Sequence, residues 1–243
     1  MSAQPRESVR QILGDLHAQR LKTMDPAALR INIEQRRTLV ETADRAGFIK
    51  AGDHVDPFTV QNAEGGELTL SQLTAQGPAV LLFFRFATCP ACNLALPYYN
   101  RALWPELERL GTTLTAISPQ VPERLIDIKT RHGLGFTVAS DRDNALGRRF
   151  GILYNFDEAS QRAAAATGTW IGETTGTGTW ELPMPTILVI DQTHTVRFSD
   201  VSPDWMVRTE AEPVIEAVRA LSLAAARWPP VTLGCAAARG VRS

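Results

Sequence analysis

The stretch "AVLLFFRFATCPACNLAL" constrains this chain more than any other. Residues 79–84 form an unbroken apolar run between Gly77-Pro78 and a Cys-x-x-Cys. Such a run, without alternation, predicts a strand buried on both faces, as in a sheet covered by helices on its two sides. The residues after Cys89 read as a helix. Pro90 suits its first turn, Pro97 and Pro105 predict kinks, and Gly111 predicts its end. Two cysteines at a strand-to-helix junction are the frame into which the rest must fit.

The remaining chain repeats the alternation. "TTLTAIS" and "FTVASD" read as strands, "VPERLIDIKTRHG" and "NALGRRFGI" as helices. "TILVIDQTHTVRFSDV" predicts two strands around an Asp-Gln-Thr-His turn, and "EAEPVIEAVRALSLAAARW" a closing helix. Short alternating runs flank a turn at Glu64-Gly65-Gly66. The expected fold is α/β, a central mixed sheet flanked by helices. The expected organisation is an N-terminal helical extension over 1–50, one α/β domain over 51–226 and a flexible tail over 227–243.

Within the extension, "SVRQILGDLHAQRL" puts Val9, Leu13 and Leu16 on one face, with Ile12 flanking it. A second helix opens with Asp25 as N-cap and Pro26 at its first position, and Gly47 is its expected stop. Its stripe of Leu29, Ile33, Val40 and Ala43 predicts packing on the main domain or on a second subunit. Residues 157–181 form a Gly/Thr-rich insertion with "TGTW" occurring twice, at 167–170 and 177–180. It lacks a Gly-x-x-x-x-Gly-Lys pattern, so it reads as a covering loop rather than a phosphate cradle.

A net charge of −1 with scattered arginines gives no field to recruit nucleic acid. No stretch approaches the ~20 apolar residues of a membrane span. "MSAQPRESVRQILGDLHAQR" has no apolar signal core, so the expectation is a soluble, cytoplasmic protein. A reducing compartment keeps thiols free, which makes Cys89, Cys92 and Cys235 reactive or inert thiols rather than structural bridges.

Cys89 is expected to open a helix, where unpaired N–H groups and the macrodipole favour an anion and hence a thiolate. An unperturbed thiol, with a pKa of about 8.5, is ionised only to a few per cent at neutral pH. At a pKa of ~6, roughly nine-tenths would be ionised. Arg85, four residues earlier, offers a cation, or pairs with an acid elsewhere. Cys92 lies one helical turn on, about 5 Å away between Cα atoms and within disulfide range. The first cysteine of such a pair is normally exposed and the second more buried, which assigns attack to Cys89 and resolution to Cys92. A zinc site would need two further ligands, and His17, His54, His132 and His194 have no paired spacing. The expectation is no metal and no cofactor. Two merely packed thiols remain an alternative.

The chain resembles the alkyl hydroperoxide reductase/thiol-specific antioxidant superfamily, closest to its peroxiredoxin-like branch with a Cys-Pro-x-Cys-Asn centre. The resemblance runs from about Ala51 to Leu221. It rests on "GDHVDPFTV", "AVLLFFRFATCPACNLAL", "TAISPQ", "SDRDNALGRRFGI", "WELPMPTILVIDQTHTVRFSDV" and "RTEAEPVIEAVRAL". It implies a thioredoxin-like fold with a cis proline, Pro185, facing the active cysteine, and with the backbone at Met184 helping to bind an incoming thiol. It implies that Arg208 stabilises the thiolate and polarises a peroxide. The superfamily's usual centre is Pro-x-x-x-Thr/Ser-x-x-Cys. Here Leu82 stands at the proline position and Phe86 at the hydroxyl position, while Thr88 lies next to the cysteine.

The activity implied is that of a thiol peroxidase. Cys89 would become a sulfenic acid, Cys92 would condense with it to a disulfide, and thioredoxin, glutaredoxin or a low-molecular-weight thiol would reduce that disulfide. Arg208, Arg85 and the backbone near Thr88 would hold the anions. A thiol–disulfide oxidoreductase using the same pair, and a non-catalytic thioredoxin-fold module, are the alternatives. Cys235 is a second candidate resolving thiol, although an inert tail thiol is the plainer reading. A homodimer is an expectation from the apolar hairpin and the resemblance.

Overall fold

The computed structural model describes residues 7–227; the Cys235 and tail expectations lie outside the described residues. The chain opens with α1 (Val9–Thr23) and α2 (Pro26–Thr42), then the hairpin β1 (Thr59–Asn62) and β2 (Glu67–Thr69) and a short α3 (Leu70–Leu73). The middle holds β3 (Ala79–Phe83), α4 (Pro90–Ala102), α5 (Trp104–Arg109), β4 (Thr113–Ser118), α6 (Pro122–His132), β5 (Thr137–Ser140) and α7 (Ala145–Arg149). It ends with β6 (Leu153–Asn155), α8 (Glu158–Ala166), α9 (Ile171–Thr175), β7 (Glu181–Pro183), β8 (Thr186–Ile190), β9 (Val196–Val201) and α10 (Ala211–Arg227).

Seven strands form one mixed sheet in the order β2-β1-β5-β4-β3-β8-β9. The pairs β3–β4 and β4–β5 are parallel, and the outer pairs are antiparallel. β3 is central and every residue in it is buried. Its side chains alternate: Val80 and Leu82 enter one core, and Ala79, Leu81 and Phe83 the other. The first core takes residues from α1, α4, α5, α6 and α10; the second takes residues from α3 and α7. This is the covered mixed sheet expected of the apolar run.

The extension docks on this domain. Val9 and Leu13 are buried in the same core as Val80 and Leu96, and Asp25 accepts hydrogen bonds from the Ala27 and Ala28 N–H groups as the N-cap of α2. Three expectations need correction. α2 ends at Thr42, before Gly47, and its expected stripe is not one buried face, because Leu29 is buried while Ile33 and Val40 are exposed. Pro105 opens a new helix instead of kinking the old one: α4 stops at Ala102 and α5 starts at Trp104, where a proline in the first turn needs no N–H partner. Gly151 has φ +69° and passes so near the Gly47 carbonyl that a Cβ would collide with it, which brings the end of the extension against the domain.

The insertion is more ordered than a loop. It forms α8 and α9, then β7, which pairs with β6. The side chains of Phe156, Ile171 and Trp180 pack against the core that contains the cysteines.

Candidate active site

Cys89 is the N-cap residue of α4, with φ −66° and ψ 120°, and Pro90 follows in the first turn. The loop before it is clamped from both sides. Gln120, just past β4, accepts a hydrogen bond from the Ala87 N–H at 2.6 Å and donates to the Thr174 carbonyl at 2.9 Å. Asn93 donates to the Ala87 and Cys89 carbonyls at 2.7 and 3.0 Å. Ser118 Oγ donates to the Arg85 carbonyl at 3.1 Å. Three side chains thus satisfy a buried loop whose backbone makes little regular structure.

Cys89 and Cys92 are free thiols, and both are buried, at 1% and 0% exposure. The expected contrast between an exposed attacker and a buried partner is absent, because the extension and the insertion cover this face. Electrostatics separates the two instead. Cys89 is held well below the usual thiol range: the Cys92 thiol donates to it, and Arg85 and Arg208 act in the same direction against the opposing effect of burial. Burial pushes Cys92 well up, and its hydrogen bond to Cys89 adds to that. Both shifts act in one sense, favouring negative charge at Cys89 and the proton at Cys92.

The cations are placed accordingly. Arg85 Nη1 lies 3.8 Å from Cys89 Sγ, and Arg208 Nη2 lies 3.8 Å from Cys92 Sγ. Arg208 is fixed by donating through Nη1 to the Trp205 and Val207 carbonyls at 2.5 and 2.8 Å. Arg85 stacks over the Trp205 ring at 4.5 Å, with Phe86 at 5.2 Å and Phe156 at 5.7 Å. Among the described residues, neither guanidinium is paired with a carboxylate. Two buried arginines without carboxylate partners make a site for a developing anion.

Of the remaining expected residues, Thr88 is exposed and its hydroxyl makes no hydrogen bond among the described residues. Met184 is buried against the cysteine core, but its backbone is occupied: the N–H donates to the Ile152 carbonyl at 2.7 Å, and the carbonyl accepts from Thr186 Oγ1 at 2.9 Å. Pro185 is not preceded by a cis bond, and none occurs among the described residues. Its carbonyl instead accepts the Ser202 N–H at 2.9 Å on the side of Arg208.

Sequence reasoning missed Tyr154, Trp205, Arg20 and Gln35. Tyr154 is 5% exposed and its ring centroid lies 6.0 Å from the Arg85 guanidinium, which interacts with its hydroxyl. Burial pushes its phenol up, so it stays protonated. Of the clamping residues, Asn93 and Gln120 were visible as the last letters of "CPACN" and "TAISPQ".

The chain's likenesses agree with this geometry. A family model described as the AhpC/TSA family matches residues 51–199. A putative peroxiredoxin bcp of Coxiella burnetii is 27% identical over 105 residues, 43% of this chain and 68% of that protein. Peroxiredoxin Bcp of Escherichia coli is 30% identical over 105 residues, 43% of this chain and 65% of that protein, so the match spans about two thirds of these relatives. Among solved structures, peroxidoxin BcpB of Mycobacterium tuberculosis superposes with a TM-score of 0.55 at 21% identity, covering 71% of this chain and 98% of that one. The bacterioferritin comigratory protein of Xanthomonas campestris gives 0.52 at 15% identity, covering 68% and 92%. Those two superpositions carry the thioredoxin-like fold, and the family match carries the membership: this chain belongs to the AhpC/TSA family as a peroxiredoxin-like member.

Proposed function

We propose that this chain is a thiol peroxidase in which Cys89 attacks and Cys92 resolves. The observation that carries the reading is the placement of two adjacent buried thiols against two guanidiniums, Arg85 Nη1 3.8 Å from Cys89 Sγ and Arg208 Nη2 3.8 Å from Cys92 Sγ, an arrangement that lowers the Cys89 pKa while burial raises that of Cys92. The Cys89 thiolate attacks one peroxide oxygen. An S–O bond forms and the O–O bond breaks. The leaving oxygen departs as alkoxide or hydroxide, takes up a proton and leaves as alcohol or water. Sulfur is oxidised to a sulfenic acid and the peroxide is reduced by the same two electrons. The Cys92 sulfur, losing its proton, then displaces hydroxide from that sulfenic acid, giving an S–S bond and water. A thiol reductant, protein or small molecule, returns both cysteines to thiols.

Arg85 and Arg208 act where negative charge moves from sulfur to the departing oxygen. The Tyr154 hydroxyl, buried beside Arg85, supplies the donor that Phe86 and the exposed Thr88 do not, and a neutral phenol can donate to the peroxide throughout. The relatives' names support the peroxide chemistry.

The test is mass spectrometry after one equivalent of hydrogen peroxide. Wild type should give the Cys89–Cys92 disulfide, and Cys92→Ser should give sulfenic acid at Cys89. Tyr154→Phe should slow peroxide reaction about tenfold or more while leaving alkylation of Cys89 by iodoacetamide unchanged, which separates peroxide positioning from thiolate formation. Full turnover by Cys89→Ser would refute the assignment. Burial of both sulfurs argues against the rival reading, exchange with protein disulfides; a faster reaction with a disulfide-bonded protein than with peroxide would restore it.

A further inference from the structure

The segment from Pro203 to Glu210 joins β9 to α10 without a helix or strand of its own, so side chains fix its course. The domain ties its two ends. Just before it, the Ser202 N–H donates to the Pro185 carbonyl at 2.9 Å, and within it the Thr209 carbonyl accepts from the Tyr99 hydroxyl at 2.7 Å. The N-terminal hairpin grips its middle, three consecutive residues by three side chains. Arg36 donates twice to the Asp204 carboxylate, at 2.7 and 2.9 Å. Gln35 Oε1 accepts the Trp205 indole N–H at 2.9 Å, and Arg20 Nη1 lies 3.7 Å from the Met206 sulfur. Gln35 and Trp205 are both buried, and neither belongs to the stretch 51–199 that matches the family.

Trp205 in turn touches both arginines of the cysteine site. Its ring centroid lies 4.5 Å from the Arg85 guanidinium, and its carbonyl accepts from Arg208 Nη1 at 2.5 Å. Each of those arginines lies 3.8 Å from a sulfur, Arg85 from Cys89 and Arg208 from Cys92. One residue therefore supports the cation at each thiol, and its ring is anchored by one hydrogen bond from α2. The indole N–H is the only donor on that side chain, and a buried donor without an acceptor is costly. A ring that turns to find another acceptor gives up its face on Arg85 and loosens the carbonyl contact to Arg208.

We propose that Gln35 is a positioning residue for the cysteine pair: through the Trp205 indole it holds Arg85 against Cys89 and Arg208 against Cys92. The hairpin contributes no reacting atom, but it fixes the two cations that the reaction uses. Both steps feel it. Arg85 favours the thiolate that attacks, and Arg208 favours the charge that Cys92 takes on as it loses its proton. The role rests on the peroxidase reading for its reaction rates, and not for its effect on the thiols.

The test reads the thiols first, without peroxide. Alkylation of Cys89 by iodoacetamide is followed against pH, by mass spectrometry, in wild type, Gln35→Leu, Trp205→Phe and the double variant. Gln35→Leu removes the acceptor and should raise the pH midpoint by about half a unit or more, since a displaced guanidinium supports the thiolate less. Trp205→Phe removes the donor and should move the midpoint at least as far. The double variant should go little beyond Trp205→Phe alone, because the two changes break one bond. Rapid mixing with hydrogen peroxide below the wild-type midpoint then follows sulfenic acid formation and disulfide closure. The first should slow about twofold or more in Gln35→Leu, the lost thiolate outweighing the gain in nucleophilicity, and the second should slow with it. A Gln35→Leu protein that melts lower, yet keeps its midpoint and both rates, would make the hairpin a structural prop and overturn the proposal. Additive shifts in the double variant would overturn it too. If Gln35→Leu does not fold, Trp205→Phe, which keeps an aromatic face for Arg85, carries the comparison. A raised midpoint in a chain whose wild type reacts with peroxide no faster than free cysteine would keep Gln35 at the thiols and sink the peroxidase reading.

Discussion

Arg85 spends its charge unusually. Burial works against it, yet Tyr154, Cys89 and Cys92 hold its pKa up, and four aromatic rings, those of Phe86, Tyr154, Phe156 and Trp205, surround the guanidinium. Face-on aromatic contacts offset part of the desolvation of a cation, and arginine suits such contacts because its plane stacks. Its strongest anion is the Cys89 thiolate, so Arg85→Met should raise the Cys89 pKa by about a unit or more. The sign follows from which form the cation favours: without it the thiolate loses support, and the acid limb of the rate–pH profile moves to higher pH. Thiolate absorbance at 240 nm across a pH titration measures this directly. Cys92→Ala should shift the same limb at least as far, since the Cys92 thiol is the largest cause of the depression. An unmoved titration in both variants would mean that the helix start alone sets the thiolate.

At the scale of elements, one carboxylate ties the extension to the domain. Glu210, just before α10, accepts hydrogen bonds from Ser8 Oγ at 2.6 Å, the Val9 and Arg10 N–H groups at 3.1 Å, and the Tyr98 hydroxyl at 2.9 Å. It caps α1 from across the molecule, satisfying N–H groups that a helix start leaves open. Burial pushes its carboxyl up, but these donors outweigh burial and hold it below the usual range. A depressed carboxylate stabilises fully above its ordinary pKa, about 4.3, and the contribution fades as pH falls through the lower folded value. Hydrogen exchange in α1 should therefore rise sharply on acidification below about pH 4. In Glu210→Ala it should be high already at pH 7, with roughly 1–2 kcal/mol of docking lost. Much of the architecture was readable because its signals are local: the apolar run of β3, the Cys-x-x-Cys at its end, Asp25-Pro26 at the head of α2. What stayed hidden was made by distant pairs. Nothing in "EQRRTLV" shows that Gln35 reaches the Trp205 indole, and nothing near Tyr154 points to Arg85. The α2 stripe misled because helical spacing states which residues share a face, not whether anything covers it. The cis reading at Pro185 came from the family's pattern, and the local backbone does not follow it.

Over the whole molecule, the hairpin and the insertion close one face of the sheet over two guanidiniums that lie 3.8 Å from the two cysteine sulfurs, Arg85 from Cys89 and Arg208 from Cys92, with Cys89 the proposed attacking thiolate. Oxidation to the Cys89–Cys92 disulfide removes that anion. Two opposing effects then decide stability. A disulfide closing so short a ring constrains the unfolded chain by only about 2 kcal/mol in the chain-entropy account. Leaving a buried charge without its partner costs roughly 3–5 kcal/mol, reduced here because Arg85 keeps its aromatic cage and Arg208 its carbonyls. The loss should outweigh the gain, making the oxidised protein the less stable form by about 1–2 kcal/mol, which lowers the midpoint by several degrees in a domain of this size. The pH dependence identifies the cause. Cys89 has a depressed pKa, so its thiolate contribution is full above the unfolded thiol value, about 8.5, and is lost as pH falls through the lower folded value. The disulfide does not titrate. In thermal melts the reduced protein should therefore be the more stable form at alkaline pH, and on acidification, as the thiolate contribution is lost, the order should reverse in favour of the oxidised form. An oxidised form that melts higher at every pH would show that the arginines do not depend on the thiolate, and that the site is held by its aromatic and carbonyl contacts alone.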